Sequence, residues 1–509
     1  MIALVFLTIV IRLFYLTVIN HKNFSKQEIF SLNENKKRVN IVDRNNIIIA
    51  TDIKTKTLYL NKKLLDNEQF VAKSLSEILK LDYKSFYSKI TNENIKSNYI
   101  LVKKHVMPDE ENKIKQLPIA AIVFEDDLLR FYPHNNLFSH VVGYTDIDEN
   151  GIIGIEEYYD NYLKDINNNP LKLTLDIKIQ EAVRDELLVA YEKYKVNFIV
   201  GIVMDIKTGN VLAMVTLPDF NPNNLNDIKN TFNHATYGNY ELGSVFKIFT
   251  FANALEEKLI NLNSTFNVSN DFIYKDFIIK DSPGIKNRQK ITTKEAFALS
   301  SNVATIQIAQ KIGIDRQLKF FENIGLLERI NTDIKQTVLP LQPRRWKEIN
   351  LMTISYGYGL AVSPLHVISA ANAIVNDGEL ITPRFSYNFE FQKKSQVISK
   401  ETSDLMKKLF KITVEKGTAK LANVNGFNVG GKTGTARKIS KNEYKQGEYV
   451  SSFLGVFPVE DPKFSIFVVA DRPHNANKNL YVTGANIAEI VKNIILKTIL
   501  FTDFKSIGY

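Results

Sequence analysis

The first twenty positions, MIALVFLTIVIRLFYLTVIN, are apolar almost without a break. About 19 such residues are roughly the length of a helix that crosses a bilayer. Arg12 interrupts the run at a cost of about 2.5–3.5 kcal/mol, while each Leu, Ile, Val or Phe returns roughly 0.3–0.6. The sum favours insertion, and no small-x-small cleavage site follows. The pattern therefore predicts a membrane anchor over residues 1–20. Nothing basic precedes it, so the charge that would set its orientation is expected in a short cytoplasmic tail upstream. From 21 to 170 the chain turns polar and rich in Lys and Asn. Strand-like runs such as VNIVDRNNIIIATD and KTLYLN alternate with helix-like ones such as FVAKSLSEILK. This reads as an extended module that spaces or docks something.

The periodicity changes at NNNPLKLTLD, a Pro-containing break. Asp176 is placed to cap a helix whose apolar positions Ile179, Val183, Leu187 and Ala190 share one face. NFIVGIVMDIKTGNVLAMVT follows, two apolar runs about a Lys-Thr-Gly-Asn turn, which predicts a hairpin. Helical stretches are expected after Gly243 and after Thr292. SSFLGVFPVE and FSIFVVAD read as paired strands about Asp461-Pro462, and a last helix runs from Ile487 to Leu500. Strands at both ends with helices between them predict an α/β domain over 171–509, its sheet assembled from distant pieces.

A chain of 509 residues is too long for one hydrophobic core, in keeping with more than one domain. The net charge of +10 is spread through a Lys-, Asn- and Ile-rich composition without a long basic run, so it does not mark a nucleic-acid partner. With no cysteine, disulfides, zinc thiolates and cysteine nucleophiles are excluded.

The candidate chemistry begins in YELGSVFKIF. Taken as the start of a helix, Ser244 and Lys247 lie on one face, so the amine can reach the hydroxyl. Burial among Val245, Phe246, Ile248 and Phe249 would lower the lysine pKa, and a neutral amine can take the serine proton without histidine. The helix N-terminus offers N–H groups to an oxyanion. A second cluster, ALSSNVATIQIA, supplies Ser300 and Asn302, a hydroxyl and a carboxamide entering a helix. Ser31-Leu32-Asn33, Ser386-Tyr387-Asn388 and Ser440-Lys441-Asn442 share that spacing in less telling contexts. The third is NVGGKTGTARK, where Lys432, Thr433, Gly434 and Thr435 sit on a strand of small residues that lets a ligand backbone approach. Lys207-Thr208-Gly209 repeats the tripeptide, but within a hairpin turn, where it is ordinary turn chemistry. Trp346 reads as core, His366 as part of a structural helix, and Tyr356 and Tyr358 as either cleft lining or packing. No Ser-His pairing supports a histidine-based hydrolase.

Serine-x-x-lysine, serine-x-asparagine and lysine-threonine-glycine, in this order, form the set of penicillin-recognising enzymes. The chain resembles the class B penicillin-binding proteins, and within them the division-specific peptidoglycan D,D-transpeptidases (the FtsI family). RVNIVDRNNIIIAT is similar to the segment that follows the family's anchor, with Arg38, Asp43 and Arg44 kept. RFYPHNNLFSHVVGYTD, GIIGIEEYYDNYL, DIKTGNVLAMVTLPDFNPNN and RRWKEINLMTISYGYGLAVSPLHV extend the resemblance over nearly the whole length. Val39 and Asn46 stand where glycine is usual, and the link from Leu163 to Leu171 is short; both concern the N-terminal module.

The resemblance implies a transpeptidase domain with a central antiparallel sheet flanked by helices over 171–509. It also implies a dimerisation-type pedestal over 21–170 and a single-pass anchor in the bacterial inner membrane, with the catalytic domain in the periplasm. It implies a donor stem peptide ending in D-Ala-D-Ala, with Ser244 as nucleophile and Lys247 as base. Ser300 and Asn302 would relay a proton and orient the acyl chain. Lys432, Thr433 and Thr435 would hold the terminal carboxylate, and the N–H groups of Ser244 and Thr435 would bind the oxyanion. No metal or organic cofactor is implied. β-Lactams should acylate Ser244, and a membrane glycan polymerase and other division proteins are the implied partners. The alternatives are an elongation-type transpeptidase, a D,D-carboxypeptidase or β-lactamase-like hydrolase, and a non-catalytic scaffold.

Overall fold

The computed structural model describes residues 37–499, apart from 93, 95, 225–227, 276, 282, 286, 441, 442, 473 and 476–479. The anchor expected over 1–20 lies outside the described residues. Among the described residues, no helix is long and apolar enough to cross a membrane. The chain divides into two units, the first holding 51–131 and 161–169, the second 40–50, 132–160 and everything from 170 onward.

The first unit is built on an antiparallel ribbon. Residues 51–60 pair with Ile122–Phe131, and the same strand pairs on its other edge with Tyr99–Val106. Two helices cover it, Glu68–Leu79 and Tyr83–Ile90, each started by a side-chain cap. Asn67 accepts the Phe70 N–H and Asp82 accepts the Ser85 N–H. Val71, Leu75 and Leu79 recur at helical spacing and pack with Leu58, Leu60, Phe86 and Ile100 in one core. A buried ion pair, Arg130 to Asp52 at 2.9 Å, is completed by main chain: Arg130 also donates to the Val39 carbonyl, and Asp52 accepts the Arg38 N–H. Hydrogen bonds of this kind are what a buried ion pair requires.

The second unit begins with a turn at Asp43, whose carboxylate accepts the N–H groups of Asn45, Ile47 and Ile177. Asn46 has φ +66°, the left-handed region that asparagine tolerates better than most residues, so it can stand where the family pattern has glycine. A five-stranded antiparallel sheet follows. Its strands are β1 (Phe198–Asp205), β2 (Val211–Leu217), β3 (Gly430–Ser440), β4 (Glu443–Phe457) and β5 (Phe464–Asp471), in the spatial order β3-β4-β5-β1-β2. The register pairs Val203 with Ile466, so strands more than 200 residues apart lie side by side, as the pattern of distant apolar runs predicts.

Six helices position the sheet and the site: α1 (Ile177–Tyr194), α2 (Lys247–Glu256), α3 (Asn302–Ile312), α4 (Pro364–Val375), α5 (Lys400–Lys416) and α6 (Gly484–Ile499). The Asp176 carboxylate caps α1 through the N–H groups of Lys178 and Ile179. Val183 and Leu187 of α1 press so close to Gly201 that an added methyl would sit about 3 Å from both. They share a core with Ile199, Val203 and the α6 residues Ile487, Val491 and Ile494. On the other face, Asn372 of α4 reaches Met204. Burial on both faces explains why NFIVGIVMD reads as a continuous apolar run rather than an alternating one. The Lys207-Thr208-Gly209 tripeptide lies in the β1–β2 turn, with Gly209 at φ +71° and the Thr208 N–H bonded to Asp205.

Candidate active site

Three segments far apart in sequence meet at the edge of this sheet. Ser244 lies on a 3-10 turn, Gly243–Phe246, that runs into α2 at Lys247. The sequence reading of Ser244 as helical is thus met by the tighter turn that often opens an α-helix. The turn is forced against β3. Gly243 has φ +56°, and a Cβ there would fall 2.6 Å from the Thr435 carbonyl oxygen. Gly434 is equally constrained: its Cβ would meet the Leu242 carbonyl at 2.5 Å. Glycine at these two places is what lets the nucleophile turn and the strand touch.

Ser300 occupies the turn before α3 and holds φ +62°, unusual for a residue with a Cβ. The conformation aims its hydroxyl back at two amines. Lys247 Nζ is 3.1 Å and Lys432 Nζ 3.0 Å from Ser300 Oγ. Lys247 also donates to the Ser300 carbonyl and to Asn302 Oδ1, both at 2.7 Å. Asn302 fixes its carboxamide by donating Nδ2 to the Lys280 carbonyl at 3.0 Å. Lys432 donates to the Thr433 carbonyl and lies over the Phe297 ring. Both amines are completely buried, whereas Ser244 keeps some exposure. Among the described residues no hydrogen bond joins Lys247 to Ser244; the amine's partners are Ser300 and Asn302.

The electrostatics follow from the burial. Desolvation drives the Lys247 pKa well below its ordinary value, and the nearby Lys432 charge pushes it further the same way, opposed by Asp281. Desolvation alone brings Lys432 down to about 7. The Ser300 carbonyl and Asn302 Oδ1 can only accept. A neutral Lys247 amine would spend its two N–H bonds on them and keep a lone pair for a hydroxyl proton. A protonated Lys432 would meet the same Ser300 hydroxyl from the other side. Such an arrangement can move a proton through one hydroxyl between two amines.

The remaining expected residues are also on β3. Thr433 Oγ1 is 2.7 Å from Thr418 Oγ1, and Thr435 Oγ1 accepts the Gly484 N–H at 3.1 Å. Ser244, Lys247, Ser300, Asn302 and Lys432 through Thr435 are therefore brought together, while the look-alike Lys207 tripeptide stays in its turn. His366 is buried in α4, bonded to Ser363 Oγ and the Glu328 carbonyl, with burial lowering its pKa to about 4. Trp346 is partly buried, edge-on to Phe321.

Sequence reasoning missed three supports. Asp281 accepts from Ser301 Oγ and from the N–H groups of Asn302 and Val303. Thr418 backs Thr433. Gly357, at φ +99°, accepts the Gly243 N–H at its carbonyl, and a Cβ there would lie 1.9 Å from the Gly243 oxygen. The glycines of YGYG were the available signal for the last; Asp281 and Thr418 carry no local one.

Two family models match the chain. The penicillin binding protein transpeptidase domain covers 199–496, and the penicillin-binding protein dimerisation domain covers 33–169. Among curated relatives, the probable peptidoglycan D,D-transpeptidase FtsI of Caulobacter vibrioides is 29% identical, over 89% of this chain and 79% of its own. The peptidoglycan D,D-transpeptidase FtsI of Buchnera aphidicola subsp. Baizongia pistaciae is 27% identical over 100% of this chain and 96% of its own. Stage V sporulation protein D of Bacillus subtilis is 27% identical over 90% and 77%. The transpeptidase model spans more than half of the 509 residues and contains every buried amine and hydroxyl just described, so the chain belongs to the penicillin-binding protein transpeptidase family.

Proposed function

We propose that the protein is a serine-type peptidoglycan D,D-transpeptidase that cross-links stem peptides through an acyl-enzyme during septal wall synthesis, and that β-lactams inhibit it. The observation that carries this reading is Ser300 Oγ held between two fully buried amines, Lys247 Nζ at 3.1 Å and Lys432 Nζ at 3.0 Å. In the proposed mechanism a D-Ala-D-Ala stem peptide binds along β3. Its terminal carboxylate is held by protonated Lys432 with the hydroxyls of Thr433 and Thr435, and Gly434 leaves room for its backbone. Ser244 Oγ attacks the penultimate carbonyl carbon and gives its proton to neutral Lys247. The N–H groups of Ser244 and Thr435 receive the oxyanion; one such donor is worth roughly 2.7–4 kcal/mol. The proton passes by way of Ser300 to the leaving nitrogen as the peptide bond breaks and D-alanine departs. Asn302 orients the acyl chain. An amine from a neighbouring stem then attacks the ester, forming the cross-link and returning the proton to Ser244.

In this reading residues 1–20 anchor the protein in the inner membrane, 21–170 form a pedestal, and 171–509 work in the periplasm beside a glycan polymerase and other division proteins. The two family models, with one range on each side of residue 170, support that division. The test is a reconstitution with a D-Ala-D-Ala donor peptide and an amine acceptor. Release of D-alanine matched by cross-linked product supports transfer. Release matched by hydrolysed donor alone would make the protein a carboxypeptidase, and no release in either would leave the scaffold reading.

A further inference from the structure

The segment before the Ser300 turn holds a group that no motif marks. A two-stranded hairpin pairs Phe272–Tyr274 with Phe277–Ile279, and the chain leaves it through Lys280 and Asp281. Both of these residues grip Asn302. The Lys280 carbonyl accepts Asn302 Nδ2 at 3.0 Å, and the Asp281 carboxylate accepts the Asn302 N–H at 2.5 Å. Asp281 further accepts Ser301 Oγ at 2.7 Å and the Val303 N–H at 3.3 Å. The other end of the Asn302 carboxamide, Oδ1, meets Lys247 at 2.7 Å. An unbroken line of contacts thus runs from Asp281 through the backbone and side chain of Asn302 to the buried amine.

We propose that Asp281 is a positioning residue for the acyl transfer, holding the Ser300–Asn302 turn in the setting where Ser300 Oγ and Asn302 Oδ1 both meet Lys247. The inference rests on the transpeptidase reading above. A carboxylate suits the task for two reasons. Three donors converge on it, and bonds to an ionised acceptor are stronger than neutral ones. Two of those donors are first-turn N–H groups of α3, where negative charge is favoured. The Ser300 backbone also needs restraint, because a serine at φ +62° is held there by its surroundings.

Asp281 bears on the amine through charge as well. Lys247 faces Lys432 from β3 and Asp281 from the hairpin exit, together with the neutral Ser300 and Asn302. The Lys432 charge disfavours the Lys247 ammonium and the Asp281 charge favours it. Loss of the Asp281 charge should therefore let Lys247 shed its proton at lower pH. A contact that only held the fold together would not produce that displacement.

The experiment follows acylation of the full-length protein by a fluorescent penicillin across pH, in the wild type, Asp281→Asn, Asp281→Glu and Ser301→Ala. Asp281→Asn keeps the size and an acceptor but loses the charge. It should acylate roughly tenfold or more slowly at its optimum, bind penicillin before acylation within about twofold of the wild type, and show its acidic limb at lower pH. Asp281→Glu keeps the charge but moves it by one methylene, so it should slow acylation without moving the limb, and it serves if Asp281→Asn does not fold. Ser301→Ala removes the α3 cap, which accepts the Ala304 N–H, and leaves Asp281 on Asn302 and Val303. It should lower the melting temperature and leave the limb in place. Wild-type rate and an unmoved limb in Asp281→Asn would overturn the proposal. So would equal slowing in Asp281→Asn and Ser301→Ala with no limb displaced. A wild-type protein that no penicillin acylates would instead overturn the transpeptidase reading, and this inference with it.

Discussion

Replacing Lys432 by methionine should stabilise the folded protein at neutral pH while removing its reactivity. The Lys432 amine is fully buried, and burial brings its pKa from 10.5 down to about 7. In the unfolded chain the same amine is protonated up to about pH 10.4. The unfolded state therefore binds more protons between about 7 and 10.5, and stability rises with pH across that window. At pH 7 the depressed pKa amounts to about 4–5 kcal/mol against folding, at 1.36 kcal/mol per unit. Methionine has nearly the same length and no such cost. Against this stand two hydrogen bonds, to Ser300 Oγ and the Thr433 carbonyl, together worth about 1–3 kcal/mol. A slightly shorter side chain adds about 1 kcal/mol. The net expectation is a gain of about 0–3 kcal/mol at pH 7, a rise of up to a few degrees in Tm. At pH 10 the gain should vanish or reverse, since the folded amine is then neutral and the unfolded one is close to its own pKa, which leaves a linkage cost of less than about 1 kcal/mol. Acylation by penicillin should fall by a factor on the order of 10²–10³, as when one anion-binding donor is lost. Urea denaturation at pH 7 and pH 10, with acylation measured in parallel, decides it. A Lys432→Met protein less stable than the wild type at pH 7 would mean that the buried amine stabilises the fold instead of opposing it.

The pH dependence of acylation in the wild type should be bell-shaped, rising as Lys247 loses its proton at its depressed pKa and falling as Lys432 loses its own near about 7. A rate that climbs steadily through pH 10 would contradict it. Gly357→Ala should lower stability by about 1–3 kcal/mol or more and cut acylation at least tenfold, since its Cβ would fall 1.9 Å from the Gly243 oxygen beside the nucleophile. Gly313→Ala, at φ +80° but with open space around it, should cost stability and leave acylation near the wild-type rate, both read from melting curves and labelling. His140 and His366 are buried and held down to about 4, so the unfolded chain binds protons first and stability should fall as pH drops from about 6.5 toward 4. Each can contribute up to about 3 kcal/mol; urea midpoints at pH 7.5 and pH 5 measure the loss, and His366→Gln should reduce it.

Local chemistry was legible in the sequence and long-range convergence was not. Asp176 as the α1 cap, the β1–β2 hairpin and the strand pair about Asp461-Pro462 are written in spacing and turn residues that act over a few positions. That Ser244, Ser300 and Lys432 share one cleft could be read only through the family resemblance, since 56 and 132 residues separate them and no propensity carries that far. Asp281 illustrates what stays hidden. It lies 21 positions before Asn302, in a polar stretch, and only the fold turns it toward the first turn of α3. The positive φ of Ser300 is hidden for the same reason, because the two amines that meet Ser300, Lys247 and Lys432, come from two other segments. Arg130 and Asp52 show the same limit in the first unit: both look like solvated charges until the ribbon buries them together.

The most direct measurement is the mass of the protein after exposure to benzylpenicillin, followed by peptide mapping. A single stable penicilloyl adduct is expected on the peptide that contains Ser244, absent from Ser244→Ala and formed far more slowly by Lys247→Met. An adduct that survives in Ser244→Ala, or one that Lys247→Met forms at the wild-type rate, would contradict the claim that a buried neutral lysine activates this serine.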